Sequence, residues 1–129
     1  MAISLLAISA GASIGAILRW SLGLALNALF PPIPLGTLVV NLFGGYCIGM
    51  VLGIFGTFPK LGPEWNLLVI TGFLGALTTF STYSAEVTTL FQQGRFFLAM
   101  AAIAAHNIGS VCMTFLGLGS WALIQSCFQ

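Results

Sequence analysis

The sequence predicts an all-α integral membrane protein in which four helices cross the bilayer and the third is broken along its length. Three observations carry this expectation. Only 4% of the 129 residues are charged against 59% hydrophobic, with Lys+Arg 3 and Asp+Glu 2. A soluble domain would carry roughly a quarter charged residues to clothe its surface. Second, the few charges and prolines divide the chain into four strongly apolar stretches, each able to supply the ~20 residues that a helix needs to cross hydrocarbon. Third, "TGFLGALTTFSTYS" at 71–84 sets hydroxyls at Thr71, Thr78, Thr79, Ser81, Thr82, Tyr83 and Ser84 in a setting otherwise built for lipid.

The first span is expected at roughly 3–29. Its opening, "MAISLLAISAGASIG", has no basic flank ahead of the apolar run, so it does not read as a signal peptide. Gly11, Gly15, Arg19, Gly23 and Asn27 recur every four residues along it. Pro31, Pro32 and Pro34 in "FPPIPLG" cannot continue a helix and end this segment. The second span, 36–57, carries Asn41 and then Gly45, Gly49 and Gly53, a spacing that lets helix backbones approach closely. "TFPKLGPEW" at 57–65 closes it; Glu64 suits the start of the next helix and Trp65 the interface. The third span, 64–92, holds Glu86. "QQGR" at 92–95 is a polar turn into the fourth, 96–125, where His106, Ser110 and Thr114 stand four apart and Asn107 lies about 100° round the helix from His106. These spans form a single domain, 1–129.

Composition also excludes several functions. A net charge of +1 argues against nucleic acid as a partner, because phosphate recognition needs clustered Lys and Arg. Cys47, Cys112 and Cys127 form no CxxC and read as small apolar packing residues. No nucleophile–base pair or metal-ligand set rises above chance, which argues against an enzyme. Lys60 falls on one side of the membrane and Arg95 on the other, so the Lys/Arg bias that sets orientation is near zero. Both insertions are left open, and two opposed copies could then pair to enclose a polar path.

Polar groups inside the spans carry the functional signal. Arg19 and Glu86 each cost ~3 kcal/mol at mid-membrane. They either pair with one another or line a water-filled mouth, or Arg19 simply snorkels to the interface, and these readings stay open. Ser and Thr hydroxyls in membrane helices usually bond their own turn, yet the number here suggests a continuous line of neutral groups. Gly72, Gly75 and the Thr78–Thr79 pair weaken the helix. A break there frees backbone carbonyls, which broken membrane helices use to hold a cation. The hydroxyl-rich half beyond it offers donors that suit an anion.

On these residues the chain resembles the small bacterial fluoride channels, the Fluc or CrcB-type family. "GFLGALTTFSTYS" at 72–84 resembles the family signature, and "GASIGAILRW" at 11–20, "PLGTLVVNLFGG" at 34–45 and "HNIGSVCMTFLG" at 106–117 agree with it. The resemblance touches all four spans. It implies an antiparallel, dual-topology homodimer in the bacterial inner (cytoplasmic) membrane, with two separate pores. The implied function is fluoride-selective, passive export that confers fluoride resistance. It also implies a structural, untransported Na+ at the dimer centre, held by the backbone carbonyls of Gly75 and Thr78 in each chain. Two aromatic rings line each family pore; they map to Phe80 and to position 83, where this chain departs by carrying Tyr83. The family's asparagine, first-helix arginine and third-helix glutamate map to Asn41, Arg19 and Glu86. The polar track maps to Ser81, Thr82, Ser84, Ser110 and Thr114, and His106 falls where members vary. Two alternatives stand beside this reading: a small dual-topology multidrug or cation exporter using Glu86 as its exchanging carboxylate, and a non-transporting subunit of a larger membrane complex.

Overall fold

A computed structural model describes residues 1–128, and among these every regular element is helical. We number the helices α1 (Ala2–Leu26), α2 (Leu35–Thr57), α3 (63–77), α4 (Phe80–Gln92) and α5 (Phe96–Cys127). Helices α3 and α4 together make the third span, so four helical segments are long and apolar enough to cross a membrane. Their bounds follow the expected ones closely. The first stops short, at Leu26, where the Asn27 side chain accepts the Gly36 N–H at 2.8 Å and ties the end of α1 to the start of α2 across the proline turn. At the other polar turn, Gly94 takes φ 71° and Arg95 N–H reaches back to the Leu90 carbonyl at 2.9 Å, a left-handed stop that glycine accepts without strain.

Close backbone contact holds the bundle together. Gly11 and Gly15 of α1 are buried against α3, with no room for a side chain beside the carbonyls of Leu68 and Phe73. Gly72 answers from α3: a methyl group there would lie 2.7 Å from the Ile8 carbonyl oxygen. Helices α2 and α5 meet in the same way through Gly45, Gly49 and Gly117, set against the backbone of Ser110, Thr114 and Tyr46. Lipid is as apolar as leucine, so association here depends on such packing rather than on expulsion of water. A small core of Val40, Leu74 and Leu77 sits between α2 and α3, and a second, of Tyr83, Val87, Leu90, Ala99 and Ala102, between α4 and α5. Large side chains such as Ile3, Phe97 and Phe115 face outward, as a lipid-facing surface allows.

The third span is broken, though not at the glycines. Leu67–Leu74 winds as a wider π-helix, and Gly75 N–H still reaches the Ile70 carbonyl. The chain leaves the helix at Thr78 (φ −79°, ψ 154°) and Thr79 (φ −146°, ψ 113°). Gly72 therefore serves the contact with α1, and the interruption belongs to the threonine pair. Thr79 then caps α4, its Oγ1 accepting the Thr82 N–H at 3.2 Å. Threonine stands among the favoured residues at such a cap.

Candidate functional site at the helix break

The break is pinned by Asn41. Its Oδ1 accepts the Thr79 N–H at 2.8 Å, and its Nδ2 donates to the Thr79 carbonyl at 3.1 Å. One side chain thus supplies the acceptor that the helix denies the Thr79 N–H, where water is scarce, and adds a second donor to a carbonyl that, at the N-cap, also takes the first bond of α4. Because an N–H can only donate and a carbonyl can only accept, Thr79 fixes which way the amide faces. Its Nδ2 lies 3.0 Å from His106 Nδ1, so that nitrogen is the acceptor. A neutral ring then carries its proton on Nε2, which is buried and has no hydrogen-bond partner among the described residues.

The same bonds free two carbonyls. In a continuous helix the Thr79 N–H would close onto Gly75 and the Thr82 N–H onto Thr78. Here the first donates to Asn41 and the second to Thr79 Oγ1. Between them, the Ala76 carbonyl accepts from Arg19 Nε at 3.0 Å. Arg19 and Glu86 consequently go to separate partners. Glu86 Oε1 accepts from Thr37 Oγ1 at 2.6 Å, a short bond of the kind a carboxylate makes.

Two hollows meet at the break. The first, ≈ 530 Å³, is lined by Asn41, Gly75, Thr78, Thr79, Phe80, Tyr83, His106, Asn107, Ser110 and Thr114 among others. The second, ≈ 580 Å³, is lined by Arg19, Asn27, Thr37, Thr79 and Thr82. Thr79 lines both. The anticipated polar residues therefore divide between two hollows, with Thr79 on the wall of each. Ser81 and Ser84 line neither hollow, and Glu86 approaches the second only through Thr37.

Aromatic rings build one wall of the first hollow. Phe80 and Tyr83 stand edge to face, with centroids 5.4 Å apart at 66°. Tyr83 stacks on His106 at 4.5 Å and 29°. Phe80 is 74% exposed, whereas Tyr83 is buried. Hydroxyls differ in what they have left to give. Thr78 and Thr114 donate to carbonyls of their own helices, at 2.9 and 3.0 Å. Ser110 reaches the Asn41 carbonyl only at 3.5 Å. Thr82 Oγ1 accepts from Thr79 Oγ1 at 2.9 Å and keeps its own proton.

Sequence reasoning passed over three residues. Thr79 appeared only as half of a weakening pair, although a threonine three residues ahead of Thr82 is a recognisable cap signal. Thr37 has no signal apart from its partner Glu86. Asn107, placed on a different face from His106, shares the hollow with it.

A family model described as CrcB-like protein, Camphor Resistance (CrcB), matches residues 6–118. A protein of Tolumonas auensis named fluoride-specific ion channel FluC is 62% identical over 125 residues, covering 97% of this chain and 98% of its own. Proteins of the same name from Desulfovibrio desulfuricans and Pseudomonas putida are each 57% identical over 122 residues, covering 95% of this chain and 95% and 96% of their own.

Proposed function

This chain belongs to the CrcB-like family, and on that premise we propose that it is a fluoride channel of the bacterial inner membrane that exports fluoride passively. The observation that carries the reading is the pair of hollows on either side of Thr79, walled by rings and neutral donors, in a chain whose relatives bear that channel's name. Fluoride is small and holds its hydration shell tightly. A path for it must offer replacement donors as water is shed, and those donors must hold the ion weakly enough to let it go. Thr82 Oγ1 and Ser110 Oγ are neutral groups whose protons are free or weakly engaged. Ring edges at Phe80 and Tyr83 add electropositive C–H groups. Arg19, tied to the Ala76 carbonyl, lines the second hollow as a fixed positive charge that draws anions toward its mouth.

Export follows from charge. With the cell interior negative, each fluoride that leaves gains ~2.3 kcal/mol per 100 mV. The working unit is an antiparallel homodimer. Support for this comes from the near-zero Lys/Arg bias and from the first hollow, which opens beside the exposed Phe80 and needs a further surface to enclose it. The Gly75 and Thr78 carbonyls, relieved of their helical donors, fit a small hard cation such as Na+, because such ions take oxygen ligands and the freed carbonyls of broken membrane helices can supply them. A bound Na+ would satisfy the lone pairs of those carbonyls and hold them in place at the dimer centre. The reading as an exporter is set aside, since the relatives carry a channel's name and Glu86 is engaged with Thr37. Purified protein in fluoride-loaded liposomes, followed with a fluoride electrode, tests the proposal: release without proton coupling supports it, and retention of the load refutes it.

A further inference from the structure

We propose that Asn107 is a positioning residue for Tyr83, occupying a lone pair of the phenol so that its hydroxyl meets an anion in the first hollow proton-first. The inference rests on the fluoride-channel reading. Asn107 Nδ2 donates to Tyr83 Oη at 2.8 Å and to the Ile103 carbonyl at 2.8 Å. A carbonyl only accepts, so the Ile103 bond decides which end of the amide is the NH2 group. Both amide hydrogens are then committed, one to the helix backbone and one to the phenol. Tyr83 must accept, and its own proton stays free.

That orientation matters because a hydroxyl is ambivalent. Rotated one way it presents a proton to an anion; rotated the other it presents a lone pair and repels it. Tyr83 is buried, its ring stacked on His106 and in edge-to-face contact with Phe80. The ring itself therefore has little freedom, and the remaining variable is the O–H rotor. Asn107 sets it. Without Asn107, a tyrosine in this wall would spend part of its time as an obstacle to an anion. A phenylalanine would need no such partner.

The dependence of one residue on the other gives the test. Fluoride efflux from liposomes is measured for the wild type, Asn107→Leu, Tyr83→Phe and the double variant, each first checked for wild-type elution on gel filtration. Asn107→Leu should slow efflux about tenfold. Tyr83→Phe, which loses a donor but gains no obstacle, should stay faster than Asn107→Leu, and the double variant should return to the Tyr83→Phe rate. If Asn107 served packing alone, removing the phenol oxygen could not rescue it. Wild-type flux in Asn107→Leu, or a double variant as slow as Asn107→Leu, would overturn the inference. Should Asn107→Leu fail to elute as folded protein, Asn107→Ala is read in the same comparison. Silent wild-type liposomes would sink the channel reading itself, whereas brisk wild-type flux without the rescue would sink only the role of Asn107.

Discussion

The two halves of the third span solve the problem of living in lipid differently. The half before the break is apolar from Leu67 to Leu77 but for Thr71, Gly72 and Gly75, and it is held by backbone contact with the glycine face of α1. The half after it carries Ser81, Thr82, Tyr83, Ser84, Glu86, Thr88 and Thr89, and side-chain hydrogen bonds anchor it: Thr79 through Asn41, Tyr83 through Asn107, Glu86 through Thr37. The lesson is that backbone packing seats the first half against α1, while the threonine pair and Asn41 set the break and the polar half furnishes the groups an ion would meet. Shape confines the first; hydrogen-bond pairing confines the second.

Substitutions can break this contrast, beginning where the effect is largest. Gly15→Val should destabilise the folded protein by ~3 kcal/mol or more, because its side chain would overlap the Phe73 carbonyl and backbone cannot step aside. Loss of folded protein on gel filtration or a fall in melting temperature in detergent would show it. Asn41→Leu should cost about 1–3 kcal/mol by leaving the Thr79 N–H unpaired. It should also slow fluoride efflux, which distinguishes damage at the break from damage to α1. Phe80→Ile should do the reverse of Gly15→Val: efflux slows about tenfold, ~1.4 kcal/mol in barrier height, while melting temperature barely moves, since the ring is largely exposed. Unchanged flux in Phe80→Ile would count against an aromatic wall. The smallest effect is expected for Thr79→Ala, a lost cap worth ~1 kcal/mol, read as a modest fall in melting temperature.

Much of this was legible in the residues. Hydropathy, charges and prolines placed all four spans to within a few residues, because lipid punishes a polar residue in the wrong place. The break was legible in kind and partly in position: it falls at the threonine pair and not at the glycines. Glycine weakens helices in water, yet in a membrane bundle Gly72 earns its place by letting Ile8 come close. The two extended threonines depend on an amide from another helix, and no local pattern announces Asn41 as their partner. Arg19 and Glu86 illustrate the same limit. Sequence shows two costly charges, and only the packed chain shows that one meets the Ala76 carbonyl and the other Thr37. Asn107 does lie about 100° round the helix from His106, but a helical wheel measures angle and ignores reach. Tyr83 extends from α4 far enough to meet it.

The most direct test of the central claim compares two halides in the same preparation. Purified protein is reconstituted into liposomes loaded with potassium fluoride or potassium chloride, and efflux is started with a potassium ionophore and read with ion-selective electrodes. The account predicts rapid loss of fluoride and retention of chloride, because neutral donors in a narrow path replace only a small ion's water. Retained fluoride, or chloride leaving as fast as fluoride, would contradict it.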